Sequence, residues 1–409
     1  MRKRCLALFT LMVMLASMVL PCAAIAANSN TFYACVMTKV HDKDVYLPFE
    51  YQTGFYFGGG GSDNSWIGEC YVEDSVWNMA NVRQSGEYTY YLLNDGTAAL
   101  IAMDQGYQSK TITIPETIDG YVITRLGLDT NVGINLPDKS IPLLFSTRVE
   151  EVILPDTIHT IGLSALQVGH YDSVGKLTAP GVTAIGGLCD LNVKCKLPEK
   201  LENIGMFAFF GANLTFCKNK LTLPETLVKI GACAFMGSHL KSVTIPGSVQ
   251  EIGPYAFAGC DWSLQTVTLK NGVPYISDGM FMNCEKLKQI SLPESIASVG
   301  AYAFENCEKL SKVTFAKKAQ VASIGEGAFR GCAALKSVVI PEGVTEIGDV
   351  AFFDCSALSA VTLPDSLTSI GAHAFDGVSS KVKFTVVDGS YAHKWATDNG
   401  FATKVQKRK

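Results

Sequence analysis

An Ile-Gly dipeptide that returns at a nearly constant interval is the feature that most constrains the fold of this chain. The interval is about 23 residues, and Ile276-Ser277 and Val299-Gly300 fill two gaps in the series. The clear members begin at Ile161, Ile185, Ile204, Ile230, Ile252, Ile324, Ile347 and Ile370. A segment of this length cannot bury its own apolar side chains, so successive segments must stack with like residues in register. The sequence therefore predicts a repeat solenoid.

The repeat unit that begins at Leu240 shows how one coil is built. Val243 and Ile245 alternate with polar residues, which predicts a short strand with one buried side. Pro246 ends that strand because proline has no backbone donor for a sheet. Gly253 permits a tight bend, and the Ala-Phe-x-x-Cys that follows has the spacing of a helical or 3-10 turn. We therefore expect a parallel β-sheet on one face of the solenoid and short turns or 3-10 segments on the other.

Cysteine recurs with the same period. The chain has 13 cysteines, and five of them lie 23 to 25 residues apart, at Cys260, Cys284, Cys307, Cys332 and Cys355. Free cysteine behaves as a small buried hydrophobe. No C-x-x-C pair of the kind that favours a metal site occurs. The spacing therefore predicts a ladder of buried thiols, and we expect neither a metal nor a cofactor.

Residues 1–27 are typical of a secretory signal peptide, with basic residues, then an apolar run, then small residues that suit cleavage. A lipoprotein anchor at Cys22 is disfavoured, because Pro21 stands where a small residue is expected. Removing three basic residues leaves 31 basic against 38 acidic residues, a net charge of −7. That charge disfavours a protein that coats nucleic acid, and no later stretch predicts a membrane span. We expect the mature chain to be secreted or held at the cell surface.

Residues 28–85 carry no repeat and are rich in aromatic side chains, which predicts a small β-rich N-terminal module. Two uses of the module stay open at this point. It either caps the array and buries its rings, or presents an aromatic surface to a ligand. Within it, Cys35 and Cys70 form a candidate disulfide.

The repeats extend over residues 86–384, where a degenerate member at Leu126-Gly127 brings the number of coils to about eleven. A solenoid exposes an apolar end that must be covered. Ser390 can cap a helix that places Tyr391 and Trp395 near one face. Residues 385–409 are therefore predicted to form a C-terminal cap helix and a basic tail.

The unit Leu-x-x-Val-x-Ile-Pro, Ile-Gly and Ala-Phe-x-x-Cys resembles the BspA-like family of bacterial leucine-rich repeats. The resemblance covers about residues 86–384, and it is cleanest from Leu240 to Phe375 and loosest from Val149 to Leu191. It implies a right-handed leucine-rich-repeat coil. It also implies a role in adhesion, through attachment to host matrix proteins or cell-to-cell aggregation. It transfers no defined set of binding residues to this chain.

The outward positions of the predicted strands form the candidate binding surface. Threonine dominates the central row, which contains Thr222, Thr244 and Thr268. The β-propensity of threonine on a half-exposed sheet explains such a row without any ligand. The alternative is a contact surface for a protein or a surface polymer.

Four lysines are predicted to gather across three successive coils. Lys196 belongs to the central row, and Lys176, Lys194 and Lys220 belong to the row adjacent to it. They are either ordinary solvated side chains or a basic patch for an anionic partner, such as a host glycan or an acidic protein surface.

No arrangement typical of catalysis stands in a suitable context, and the six histidines are scattered. We therefore expect no enzyme. The sequence favours a secreted or cell-surface binding protein, adhesin-like, that recognises host matrix proteins or surface polymers through its strands. Two alternatives stay open: a structural or envelope-scaffolding repeat protein, and a display stalk for the aromatic N-terminal module.

Overall fold

The structure of the chain is a computed structural model. It describes residues 31–34, 37–40, 43–46, 50–51, 55–59, 66–71, 79–103, 111–127, 144–146, 151–162, 167–169, 194–205, 208–209, 220–260 and 263–408. Over the repeats the chain forms a parallel β-solenoid of about ten turns with little helix. The fold predicted from the repeat is confirmed.

The described part of the chain contains a short 3-10 helix at Met79–Asn81, a helix α1 at Tyr391–Asp398, and 33 strands. In chain order the strands are β1 Thr31–Ala34, β2 Met37–Val40, β3 Lys43–Tyr46, β4 Glu50–Tyr51, β5 Phe55–Gly59, β6 Trp66–Tyr71, β7 Val82–Ser85, β8 Tyr88–Leu92, β9 Ala98–Met103, β10 Thr111–Thr113, β11 Thr117–Ile118, β12 Tyr121–Leu126, β13 Leu144–Ser146, β14 Glu151–Ile153, β15 Thr160–Ile161, β16 Gln167–Gly169, β17 Lys194–Cys195, β18 Asn203–Ile204, β19 Lys220–Thr222, β20 Lys229–Ile230, β21 Ser242–Ile245, β22 Glu251–Ile252, β23 Thr266–Leu269, β24 Gln289–Leu292, β25 Ser298–Val299, β26 Lys312–Phe315, β27 Ser323–Ile324, β28 Ser337–Val339, β29 Glu346–Ile347, β30 Ala360–Thr362, β31 Ser369–Ile370, β32 Lys383–Val387 and β33 Ala402–Gln406. No described helix has the length and apolarity needed to cross a bilayer.

The strands before the repeats are antiparallel. β1 to β6 form a four-stranded sheet in the order β1-β6-β5-β4 and a separate pair, β2-β3, whereas β7 pairs with β8 at the start of the array. Cys35 lies outside the described residues, and the side chain of Cys70 on β6 is not described, so their disulfide stays a prediction.

One side of the solenoid, which we call the strand face, is a parallel sheet in four pieces. The pieces run β10-β14-β17, β19-β21-β23, β24-β26 and β28-β30-β32-β33. Their side chains alternate as in β23, where Val267 and Leu269 are buried while Thr266 and Thr268 are exposed. This alternation follows from the period of two along a strand.

A second set of short parallel strands, the Ile-Gly edge, carries the repeated dipeptide. Ile204 pairs with Ile230, and Ile230 pairs with Ile252 in the next coil. All three are buried. Gly253 allows these coils to approach closely, because a Cβ at this position would lie 2.3 Å from the main-chain nitrogen of Ala232.

The Ala-Phe-x-x-Cys segments form the third side, the turn face, where each coil makes turns instead of a strand. Their phenylalanines lie on top of one another inside the core. Phe235 and Phe257 stack with ring centroids 5.0 Å apart and planes 2° apart. The same contact continues from Phe209 to Phe375. A single apolar core therefore runs the length of the array.

The order of the coils differs from the prediction in one place. The strand β15 pairs directly with β18, so that Ile161 is the neighbour of Ile204, whereas the series of dipeptides placed Ile185 between them. That order is wrong at this point. The mismatch falls in the stretch where the repeat pattern is weakest, and Ile185 itself lies outside the described residues.

The C-terminal end of the core is covered by α1. Ser390 accepts a hydrogen bond from the main-chain nitrogen of His393 at 3.1 Å and so caps the helix. Ala392 and Ala396 are buried, and Trp395 packs 5.5 Å from Phe375, centroid to centroid. The chain then adds β33 parallel to β32, a strand that the sequence analysis treated as a tail.

Candidate functional site: the strand face

The threonine row of the strand face stands in register across three coils. Thr222 is the sheet partner of Thr244, and Thr244 is the partner of Thr268. Thr222 and Thr268 are exposed, and Thr244 is half-buried. The structure therefore places these three predicted residues side by side on one surface, as parallel stacking of identical units requires.

A groove opens at one end of this row, where the sheet is interrupted between β17 and β19. Among the described strands, β17 ends one piece of the strand face and β19 begins the next. The groove has a volume of about 740 Å³, within the range of ligand sites in proteins. Its lining is Glu151, Val152, Ile153, Leu154, Lys196, Leu197, Glu199, Lys220, Leu221, Thr222, Leu223, Pro224 and Glu225.

The lining divides into an apolar floor and a charged rim. Val152, Leu221 and Leu223 are buried, while Ile153 is 46% exposed and forms an apolar patch on the rim. Burial of apolar surface by a partner is the main source of affinity that such a floor offers.

The rim carries both signs of charge. Lys196 Nζ lies 3.1 Å from Glu199 Oε1, and this hydrogen bond raises the pKa of Lys196 above its ordinary value. Lys270 forms an ion pair with Glu225. All four side chains are largely solvated, so these pairs contribute little stability.

Two of the four lysines of the predicted basic patch have described side chains. Lys196 and Lys220 line the groove together with Thr222. Lys194 lies on β17, but its side chain is not described, and Lys176 lies outside the described residues. The strand β14 pairs directly with β17, so the sheet partner of Lys194 is Glu151.

The described lining is also not basic overall. Two lysines stand against three glutamates, Glu151, Glu199 and Glu225, which gives a net charge of −1. These carboxylates were not predicted: Glu199 and Glu225 follow their strands, and Glu151 is the sheet partner of Lys194 in a row of which only the lysines were collected. Leu-Pro-Glu recurs at 197–199 and 223–225, and that repeat is the signal that could have found two of the three.

No group of three or more His, Cys, Asp or Glu side chains is placed to hold a metal ion among the residues that the structure describes. The described cysteines of the repeat are buried and form no disulfide. Each is part of the core and does not reach the strand face.

Stacked coils of this kind define a leucine-rich-repeat solenoid. The family model for the BspA type leucine rich repeat region matches residues 215–322 and 318–391, in six copies. The resemblance to the BspA-type leucine-rich repeats is therefore shown for residues 215–391.

Solved structures with the same type of repeat are similar to the chain at low identity. A leucine-rich repeat protein from Bacteroides ovatus matches at 22% identity over 80% of this chain and 100% of that one, with a TM-score of 0.37. A leucine rich cell surface protein from Faecalibacterium prausnitzii matches at 22% over 81% and 99%, with a TM-score of 0.33. A leucine-rich repeat protein from Eubacterium ventriosum matches at 19% over 74% and 77%, with a TM-score of 0.39. No curated protein matches the chain significantly.

Proposed function

We propose that this chain is a secreted or cell-surface binding protein without catalytic activity, adhesin-like, whose strand face recognises host matrix proteins or surface polymers. The observation that carries the proposal is the in-register row of outward side chains at Thr222, Thr244 and Thr268, continuous with an apolar groove. A partner that lies on this row meets several coils at once, which is how solenoids build an extended contact surface.

The surface location rests on the sequence. Residues 1–27 are typical of a secretory signal peptide. A location outside the cytoplasm is consistent with a partner on a host or bacterial surface.

The mixed charge of the groove favours a protein partner over a uniformly anionic one at this place. Lys196 and Glu199 already neutralise each other. Such a rim favours a partner that brings both charges and an apolar segment.

The test is binding of the full chain to immobilised matrix proteins and to bacterial cells. One variant, Thr222→Arg with Thr268→Arg, places two bulky, positively charged side chains on the strand face. Both positions are exposed, so the fold should persist, as circular dichroism can verify. We expect binding to fall at least tenfold.

The matched control is Ala297→Arg with Ala322→Arg, which adds the same two charges at exposed positions just before strands of the Ile-Gly edge. The control should bind like the unchanged protein. Equal binding by both variants would contradict recognition through the strand face and favour the N-terminal module or a scaffolding role.

A further inference from the structure

Positive charge is concentrated along one border of the strand face. We call this border the basic margin. It consists of Lys220 and the segments that lead from each turn into the next strand, 238–242, 263–266, 284–289, 307–312, 332–337, 355–360 and 378–383. Its lysines are Lys220, Lys241, Lys286, Lys288, Lys309, Lys312, Lys336, Lys381 and Lys383.

The charge of the basic margin is opposite in sign to that of the chain. Nine lysines stand against two glutamates, Glu285 and Glu308, which gives +7 on these segments. The whole chain has a net charge of −4. Eight of the nine lysines are exposed and Lys286 is half-buried, so the charge faces solvent.

Main-chain pairing holds these lysines in a line. The main-chain nitrogen of Ser311 donates a hydrogen bond to the carbonyl oxygen of Lys288 at 2.9 Å. The main-chain nitrogen of Lys383 donates in the same way to the carbonyl oxygen of Ser359, also at 2.9 Å. Lys312 is the sheet partner of Gln289. From the strand at Lys220 to the strand at Lys383 there are seven steps between neighbouring strands, about 34 Å at 4.8 Å per step.

None of the nine lysines forms an ion pair or a side-chain hydrogen bond with another described residue. The opposite border of the strand face differs, because it has both signs of charge. Lys270 pairs there with Glu225, and Glu294, Glu342 and Asp365 lie along the same border as Lys317 and Lys318. The basic margin therefore presents its ammonium groups without internal neutralisation, which favours an external anion.

The shape of the margin favours a linear anionic partner. A folded acidic protein would contact a few coils, whereas an extended chain with regularly spaced anions can follow all of them. Hydroxyl groups of Ser242, Thr266 and Ser337 lie among the lysines and can bond to sugar hydroxyls and acidic groups.

Single-stranded nucleic acid is the less suitable linear anion. Proteins bind it by stacking its bases on aromatic side chains, and the described segments of the margin contain no Phe, Tyr or Trp. We propose that the basic margin is a binding site for a linear anionic polysaccharide that carries sulfate or carboxylate groups. The site lies beside the strand face and goes beyond the function proposed for that face.

Heparin is a suitable probe, as a linear sulfated polysaccharide available in fragments of defined length. The full chain is titrated with these fragments by calorimetry at 50 and 300 mM NaCl. We expect affinity to rise with fragment length until the fragment spans the margin, and to weaken at the higher salt concentration because salt screens exposed charges.

The decisive comparison uses two triple variants with the same change of net charge. Lys288→Gln, Lys312→Gln and Lys336→Gln remove charge from the basic margin. Lys270→Gln, Lys317→Gln and Lys318→Gln remove it from the opposite border. We expect the first variant to lose at least tenfold in affinity for heparin and the second to lose less than twofold.

Equal losses in both variants, or no binding by the unchanged chain, would overturn the proposal. So would tighter binding of oligothymidylate or polyglutamate of matched length. These outcomes are distinct from failure of the strand-face proposal, because binding of matrix proteins is measured separately with the Thr222 and Thr268 variant.

Discussion

The thiol of Cys332 donates a hydrogen bond to the main-chain carbonyl of Phe304 in the preceding coil, at 3.2 Å. Cys307 and Cys355 make the same bond to Phe281 and Phe329. The ladder of buried thiols predicted from their spacing is confirmed, since all five cysteines of the ladder are buried and none is in a disulfide. The repeated cysteine links each turn to the one before it while filling space in the core.

These thiols should be unreactive toward alkylating reagents in the folded protein. Burial raises the pKa of Cys355 to about 12 and that of Cys332 well above its ordinary value, so almost no thiolate forms at neutral pH. We expect iodoacetamide at pH 8 to leave both unmodified until urea unfolds the chain. Mass mapping of the peptides checks this, and rapid labelling of Cys332 without urea would contradict it.

The phenylalanine stack should dominate the stability of the array. Phe304 lies between Phe281 and Phe329, with centroids 5.5 and 5.2 Å away, and is fully buried. Replacement of Phe304 by Ala should lower the free energy of unfolding by about 4 kcal/mol, since a large cavity opens in the core. Urea unfolding measures this, and the exposed Val339→Ala is the control, with an expected change below about 0.5 kcal/mol.

Repeat spacing was sufficient to predict the strand face and the turn face of the solenoid, whereas the strands of the Ile-Gly edge were expected only as a tight bend. The alternation at Val243 and Ile245 fixes which side of the strand is buried, and the interval between Ile230 and Ile252 fixes their pairing. These features depend on the local alternation of apolar and polar residues and on the repeat interval, and both can be read directly from the sequence.

The charge distribution was harder to predict, because it depends on which residues of different coils meet. Lys241 and Lys312 occupy different positions of the repeat, yet both lie on the basic margin. Comparing one repeat position across the coils therefore does not group these two lysines. The neighbours of Lys196 were also misassigned, because residues 149–191 depart from the repeat pattern and the predicted order of the coils is wrong there.

Left-handed backbone conformation gives a third prediction. Val350 has φ +50° at the position that glycine occupies in an earlier coil, where Gly327 has φ +57°. A β-branched residue is strained in this region. Replacing Val350 by Gly should therefore raise the free energy of unfolding by about 1 kcal/mol, after the greater freedom of glycine in the unfolded chain is counted.

The reverse change is the matched control for Val350. Gly327→Val would place a Cβ 2.5 Å from the ring of Tyr302 and strain the backbone as well. It should lower the free energy of unfolding by about 2 kcal/mol or more. A loss of stability in the Val350→Gly protein would show that side-chain contacts of Val350 outweigh its strain.

A buried carboxyl on the turn face makes stability depend on pH. The side chain of Glu305 is 2% exposed, and its Oε1 lies 3.6 Å from Arg330 Nη1. Burial raises the pKa of Glu305 to about 7 from an ordinary value of 4.5; Glu326 adds to the rise and Arg330 opposes it. The Arg330 guanidinium also lies 5.5 Å from the Phe353 ring centroid, which holds it beside the carboxyl.

The sign of the effect follows from proton binding. Between pH 4.5 and 7 the folded state holds a proton on Glu305 that the unfolded state has lost, so the contribution of this group to stability grows as pH falls and is lost as pH rises through 7. From pH 8 to pH 5.5 the gain is about 2 kcal/mol. Glu305→Gln removes the titrating group, so the free energy of unfolding of the variant, measured in urea across this range, should lack that gain and exceed that of the unchanged protein at pH 8. Parallel pH profiles for the two proteins would show that Glu305 is ionised in the fold at pH 5.5.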